Sequence, residues 1–459
     1  MIDFRIQNHL YPVTLLRLRR FFERSQWFSL AQLVRYQDRR LAQIVGHAYR
    51  NVPYYRSLFE RLGLTPADIR TVADLQQLPI LTKETLRTEF DRLQAVNKAR
   101  YLPEVTATSG TSGDPLTILL DKPARMLEFA YYWRHWSWAG YRLGMPFIQL
   151  TSQMFLNKPA LAGRAYFAEP ITRRLMLNTL WLGPERVPVF LEAIRRYRPR
   201  FVKGVASTLY YFAHFFRQAG VDDVRFQGAF STGEVLLPPQ RAVIEKVFRC
   251  KVYDSYGHTE RTVAISECLA GGRHINPEYG IFEVVDAVSE LSRHSGNGGS
   301  GKLVSGRVVG TGLHNFSMPL LRYEVGDLVD IDDPTPSCPC GRAMPLVRRI
   351  SGRQADVIVT PAGHVSTTLF VVFEEVPGLL QGQVIQEAID HLCVRVVASP
   401  AYTPTSEAKL VHAIRRFVGE EMRIELEYLT PEAMRAGTDG KLRAVISKID
   451  RPPAALPRS

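Results

Sequence analysis

The stretch Thr106-Ala-Thr-Ser-Gly-Thr-Ser-Gly-Asp-Pro115 runs into Leu116-Thr-Ile-Leu-Leu120, a strand candidate. Five hydroxyl residues and two glycines in ten positions make a loop with many donors and little bulk. Glycine lets the backbone come close to a bound phosphate, and hydroxyl and main-chain N–H groups can hold it there. A flexible polar hairpin loop has the same composition, so the stretch leaves both readings open. Motifs farther along the chain decide between them.

Downstream, short β-branched runs alternate with helical patterns from about residue 100 to 350. Phe147–Thr151, Phe201–Gly204, Gly228–Thr232 and Lys251–Tyr256 are predicted strands. The alternation predicts an α/β fold with a largely parallel sheet. Upstream, residues 1–100 are predicted helical: Arg35 to Leu62 has apolar residues at helical spacing, broken at Asn51-Val-Pro53. Thr82-Lys-Glu-Thr85 predicts an N-capped helix. Ser289 to Gly301 predicts an exposed turn before a strand at Lys302–Ser305. Within it, Gly296-Asn-Gly-Gly-Ser-Gly301-Lys302 nearly spells a P-loop, but Leu303 replaces the magnesium-binding Ser or Thr and a strand pattern follows, which excludes it. Beyond residue 352, Val357–Val359, Val394–Val397 and Ile424–Tyr428 with a helix near Ser406–Glu421 predict a small α+β domain.

The 459 residues exceed one compact core, so two domains are expected, 1–352 and 353–459. Composition is that of a soluble globular protein, 46% hydrophobic and 22% charged. No apolar run is long enough to cross a bilayer, and Met1-Ile-Asp-Phe-Arg-Ile-Gln7 lacks the build of a secretory signal, so the cytoplasm is the expected location. Five scattered cysteines do not make a disulfide framework. The net charge of +13 favours an anionic partner. Its basic residues lack aromatic interleaving, which argues against nucleic acid.

Five segments then occur in order: Thr108-Ser109-Gly110-Thr111-Ser112-Gly113; Ser231-Thr232-Gly233-Glu234; Tyr256-Gly257-His258-Thr259-Glu260; Arg322-Tyr-Glu-Val-Gly-Asp327; and Gly352-Arg353 with Gly440-Lys441. Together with Asn51-Val-Pro-Tyr-Tyr-Arg56 and Leu78-Pro-Ile-Leu-Thr-Lys83, this series resembles the acyl-adenylate-forming superfamily, in its phenylacetate–coenzyme A ligase-like branch. The resemblance runs nearly end to end. It implies a large adenylate-forming domain with mixed sheets and helices, and a small mobile α+β lid carrying the catalytic lysine. It also implies displacement at the α-phosphorus of ATP by a carboxylate, with acyl transfer afterwards, for which coenzyme A is the commonest acceptor. Dimers are common in the branch.

Adenylation brings two anions together, so positioning and charge neutralisation dominate. On the resemblance, residues 108–113 take the β- and γ-phosphates, Glu260 is a Mg²⁺ ligand, and Thr259 donates to the α-phosphate. Asp327 accepts the ribose hydroxyls, Arg353 reaches the sugar or a phosphate, and Ser231–Glu234 with Tyr256 and Gly257 hold the adenine. Lys441 bridges carboxylate and α-phosphate, on a lid whose hinge falls near Gln354–Asp356. The aromatics of Tyr131–Trp138 and Val205–Tyr211 read first as core packing and second as an acyl pocket.

Cys268, His274, Cys338 and Cys340 make a Cys₃His set with Gly-rich spacers, which suits tetrahedral zinc. Buried free cysteines are the alternative. After Gly352-Arg353 the chain reads Gln354-Ala-Asp356 and Val359-Thr-Pro-Ala-Gly-His364, a loop more similar to the capsular-polysaccharide-biosynthesis subgroup. An amine, hydroxyl or carrier-thiol acceptor therefore stands beside coenzyme A. A non-catalytic nucleotide- or polyanion-binding scaffold is the rival class.

Overall fold

The structure is a computed structural model. It describes residues 12–107, 116–151, 155, 158–161, 163–170, 172–236, 238–291, 302–333, 337–353, 358–361, 365–366, 369–374, 376–430, 433–434 and 445–449. The fold is mixed α/β, with a smaller C-terminal α+β part, as the sequence implies. Grouped by compactness, Met1–Leu143 with Tyr253–Ser351 form one unit, and Gly144–Val252 with Gly352–Ser459 form the other.

The first unit begins with helices Pro12–Ser25, Leu30–Asn51 and Pro53–Leu62. Ser29 starts the second with a capping box closed by Gln32, and Pro53, which cannot continue a helix, opens the third at its first position. Thr82 caps Lys83–Thr88 by accepting from the Thr85 N–H, as predicted. These helices bury Leu41, Ile44 and Phe59 in one core with Leu313, Met318 and Leu321, which lie between strands Lys302–Gly312 and Tyr323–Asp333, and with Tyr323. Each such side chain contributes about 1.5–3 kcal/mol, so the leader is held by its apolar face.

Two antiparallel runs of strands follow. One pairs Val252–Gly257, Ala264–Glu267, Arg273–Ile275 and Leu346–Val347; the other pairs Gly280–Leu291, Lys302–Gly312, Tyr323–Asp333 and Arg349–Arg353. The expectation of a largely parallel sheet over 100–350 is thereby corrected for everything after Gly257. Six residues join Gly257 to Ala264, and a parallel crossover needs a dozen or more. The strand Gly280–Leu291 also extends into the predicted Ser289–Gly301 turn, whose residues 292–301 lie outside the described ones.

In the second unit Gly228–Thr232, Phe201–Val205, Phe147–Thr151 and Arg174–Asn178 are parallel, with Tyr166–Glu169 antiparallel at the edge. Helices Val187–Tyr197, Ala206–Gln218 and Pro238–Phe248 supply its apolar cover. Ala206–Tyr211 belongs to that core, and Tyr131 and Trp136 are buried in the first unit, so packing accounts for both aromatic segments. The C-terminal part orders Arg423–Tyr428, His391–Ala398, Leu379–Ala388 and Val445–Ser447, with helix Pro404–Val418 over Val384, Val394 and Val396. No helix among the described residues is long and apolar enough to cross a membrane.

One buried charge pair anchors the first unit. Arg134, on helix Lys122–Ser137, meets Glu278 at 2.7 Å with both side chains fully buried. Its guanidinium also bonds Asn276 and lies 4.8 Å over the Phe22 ring, while Ser25 donates to Glu278 at 2.5 Å. Removing one partner strands a buried charge. Arg134→Met is expected to cost about 3–5 kcal/mol in urea unfolding, with Glu278→Leu in the same chain restoring part of it. A single-variant loss under about 1 kcal/mol would show that the pair is not an anchor.

Candidate active site

The strand Val252–Gly257 ends in the turn His258–Arg261, closed by the Arg261 N–H donating to the His258 carbonyl at 3.1 Å. Glu260 sits on that turn, 7% exposed. The Tyr323 hydroxyl donates to its Oε1 at 2.6 Å, and His258 Nδ1 lies 3.0 Å from its Oε2. Burial pushes the Glu260 carboxyl up, but the bonds and charge of His258 with the Tyr323 bond outweigh it and hold the group at about 2. A buried, ionised carboxylate is a ligand type that fits a hard divalent cation. Thr259 is half-buried beside it.

Asp327, 6% exposed, lies on the strand Tyr323–Asp333 and accepts from the Tyr256 hydroxyl at 2.5 Å. Thus Tyr256, from the first segment, holds the carboxylate of the second, and Tyr323, from the second, holds that of the first. This reciprocal brace joins residues 71 and 63 positions apart. The bond from Tyr256 falls on Oδ2 of Asp327.

The leader Leu78–Lys83 is bound to the same place. Leu81 donates its N–H to the Arg322 carbonyl at 2.9 Å and accepts from Glu324 N–H at 3.0 Å, and the Arg322 guanidinium reaches the Leu78 carbonyl at 2.6 Å. Gly326 has φ 90°, a left-handed conformation that glycine adopts without strain.

In the other compact unit, Ser231-Thr-Gly-Glu234 spans the carboxyl end of the parallel strand Gly228–Thr232, the end at which such sheets bind ligands. Gly233 takes φ 80°, and Glu234 Oε2 accepts the Ser207 N–H at 2.9 Å, at the start of helix Ala206–Gln218. Arg353 ends the strand Arg349–Arg353. The loop Thr108–Gly113, Lys441 and the hinge Gln354–Asp356 lie outside the described residues, as does the Arg353 side chain. The structure therefore brings Tyr256 and Asp327 together directly, and joins Glu260 to the Asp327 motif through Tyr323. Tyr323 and His258 lie inside the sequence motifs but carry no role there; their type (hydroxyl and imidazole flanking carboxylates) is the signal that could have found them.

Cys268, His274, Cys338 and Cys340 converge: their ligand atoms all lie within 4.8 Å of one another. Cys268 Sγ is 3.6 Å from Cys338 Sγ, and Cys340 Sγ is 3.2 Å from His274 Nε2. Tetrahedral zinc with Zn–S near ~2.3 Å asks for ligand atoms roughly 3.5–3.8 Å apart, so a small contraction closes the set. His274 Nδ1 lies 3.1 Å from the Met344 carbonyl, which requires the proton on Nδ1 and turns the Nε2 lone pair toward the thiols. Burial holds the imidazole neutral, down to about 4, and pushes the Cys338 thiol up to about 12. Gly272 is needed here, since a Cβ would sit 2.7 Å from Cys338 Sγ. The donor set fits zinc. Cys250 and Cys393 lie outside the cluster.

Residues 358–448 match the family model of the CapK C-terminal domain. The chain is 22% identical to Protein CapK of Staphylococcus aureus across 97% of this chain and 94% of that protein. It is 25% identical to the phenylacetate–coenzyme A ligase of Thermus thermophilus across 89% and 95%. Among solved structures, 2-hydroxyisobutyryl-CoA ligase in its postadenylation state with R3-HIB-AMP shares the fold, with a TM-score of 0.65 and 20% identity over 92% of this chain and 91% of that one.

Proposed function

We propose, from the premise that this chain belongs to the adenylate-forming, phenylacetate–coenzyme A ligase-like family, that it activates a carboxylic acid as acyl-AMP and then transfers the acyl group to coenzyme A. The reciprocal brace carries this reading: two motifs distant in sequence each bury a carboxylate, one on a turn and one on a strand, held by a tyrosine of the other motif. Neither bond is needed to close either sheet, and an inert loop has no reason to bury two acids.

In the reaction a carboxylate oxygen attacks the α-phosphorus of ATP, the bond to the β-phosphate oxygen breaks, and pyrophosphate leaves. Glu260 would hold Mg²⁺, which neutralises phosphate charge when bound, and Thr259 would donate to the α-phosphate. Asp327 would fix the ribose, Tyr256 and Ser231–Glu234 the base, and Arg353 the sugar or a phosphate. Residues 108–113 would cradle the leaving phosphates and Lys441 would steady the charge between the two anions. A coenzyme A thiolate then displaces AMP from the acyl carbon. Cys268, His274, Cys338 and Cys340 would hold a structural zinc ion.

A second reading keeps adenylation and moves the acyl group to an amine, a hydroxyl or a carrier thiol. The match of residues 358–448 to the CapK C-terminal domain favours it, because that part follows the point where the loop after Arg353 departs from the coenzyme A ligases.

The test is pyrophosphate release with ATP and Mg²⁺ across aryl, fatty, hydroxy and amino acids, with and without coenzyme A. Acid-dependent release that rises at least ~10-fold with coenzyme A is the expected result, since the adenylate otherwise leaves slowly and limits turnover. Release indifferent to coenzyme A supports the second reading. Nucleotide binding without release under any acid would overturn both in favour of a scaffold.

A further inference from the structure

His258 stands two residues before Glu260 with 4% of its side chain exposed, and both ring nitrogens are engaged. Nδ1 is 3.0 Å from Glu260 Oε2, and Nε2 is 3.1 Å from Thr262 Oγ1. An ionised carboxylate only accepts, so Nδ1 carries a proton and donates. The Thr262 hydroxyl can donate to a neutral ring or accept from a charged one, and in either state the imidazole is pinned at both ends. Its plane lies 30° from that of Tyr323, with centroids 6.3 Å apart, so the two donors to Glu260 also pack on each other.

Thr262 is itself immobile. It is fully buried and backed by two glycines of the neighbouring sheet. A Cβ on Gly310 would collide with Thr262 Oγ1, and one on Gly280 with the Thr262 carbonyl. Gly280 opens the strand Gly280–Leu291 and pairs with Gly312, and Gly310 lies two residues earlier on that same partner strand. A run of contacts thus leads from a rigid sheet through Thr262 and His258 to one carboxylate oxygen, while Tyr323 holds the other.

We infer that His258 is a positioning residue for Glu260: pinned by Thr262 against Gly310, it fixes the carboxylate in the orientation that offers its remaining lone pairs to a divalent cation. This rests on the adenylation reading, in which Glu260 is the metal ligand. Groups that orient a metal ligand are commonly worth 10–100-fold in metal affinity, because an unheld carboxylate must be ordered by the metal itself.

The experiment uses the full chain saturated with α,β-methylene-ATP and titrated with Mn²⁺, whose free fraction is read by electron paramagnetic resonance. Metal-free affinity for the same nucleotide is measured alongside. His258→Ala is expected to weaken Mn²⁺ binding ~10–100-fold and leave metal-free nucleotide affinity within ~2-fold. His258→Asn, whose side-chain N–H falls near the position of Nδ1–H, is expected to recover most of the loss. Thr262→Val, of the same shape without the hydroxyl, is expected to show a smaller loss of the same kind. Wild-type Mn²⁺ affinity in His258→Ala would overturn the inference. So would equal loss of metal and metal-free nucleotide binding in both His258 variants, which marks a merely structural residue. A wild-type chain that binds nucleotide but no Mn²⁺ would instead overturn the assignment of Glu260 as metal ligand.

Discussion

Glu260→Gln is expected to lower acid-dependent pyrophosphate release by about 10²–10³-fold while circular dichroism shows the fold intact. The amide keeps the volume of the carboxylate and can still accept from Tyr323, so packing changes little. It loses the charge that a divalent cation needs, and its NH₂ group would face the protonated Nδ1 of His258, donor against donor. Tyr323→Phe removes one bond and keeps the charge, so its loss should fall well short of that of Glu260→Gln. A Glu260→Gln rate within threefold of wild type would remove Glu260 from the reaction. The same substitution alters acid stability in a definite direction. Glu260 is held near 2 in the folded chain against an ordinary 4.5, so its stabilisation is fully present above about pH 5 and is lost as pH falls from there toward 2. The Gln variant lacks this contribution, and its stability should fall less steeply across that window.

If the proposed zinc is bound, Cys338→Ala is expected to abolish its binding and to lower the melting temperature by about 10 °C. The cluster ties the hairpin of Ala264–Glu267 and Arg273–Ile275 to the turn at Cys338–Gly341, two segments about 70 positions apart, as the separation of Cys268 and Cys338 shows. A metal that joins distant segments restrains many unfolded conformations, so its loss is felt by the unit as a whole. Elemental analysis of wild-type protein purified without chelator should find roughly one zinc ion per chain. Chelation should reproduce the melting shift in wild type and leave Cys338→Ala unmoved. Wild-type protein that carries and binds no zinc would reduce the cluster to buried thiols. Thiol titration would then show whether Cys268 and Cys338, 3.6 Å apart between sulfurs, are reduced or joined.

Much of the local structure was legible in residue order. The Thr82 cap, the break at Asn51-Val-Pro53 and the strands at Phe147, Phe201 and Gly228 depend on side chains within a few positions of each other. Strand direction after Gly257 was not legible, because the parallel reading came from strand and helix patterns alternating before that point, and short β-branched runs occur in parallel and antiparallel pairs alike. In the candidate site, the residue types of Tyr256, Glu260 and Asp327 were readable. Their partners were not, since His258 and Tyr323 read as spacers until a tertiary contact gave each a carboxylate to hold.

By itself, the sequence determined which chemical groups this protein carries and in what order: a hydroxyl-rich loop, two carboxylate motifs, a lysine near the end and a Cys₃His set. Those are matters of composition and spacing. The tertiary structure decided which group holds which. Tyr256 bonds Asp327 across 71 positions and Tyr323 bonds Glu260 across 63, and the buried pair Arg134–Glu278 spans 144. Such pairings follow from how sheets and leader helices bury their apolar faces, and that packing is a property of the whole unit, which no local stretch of residues encodes.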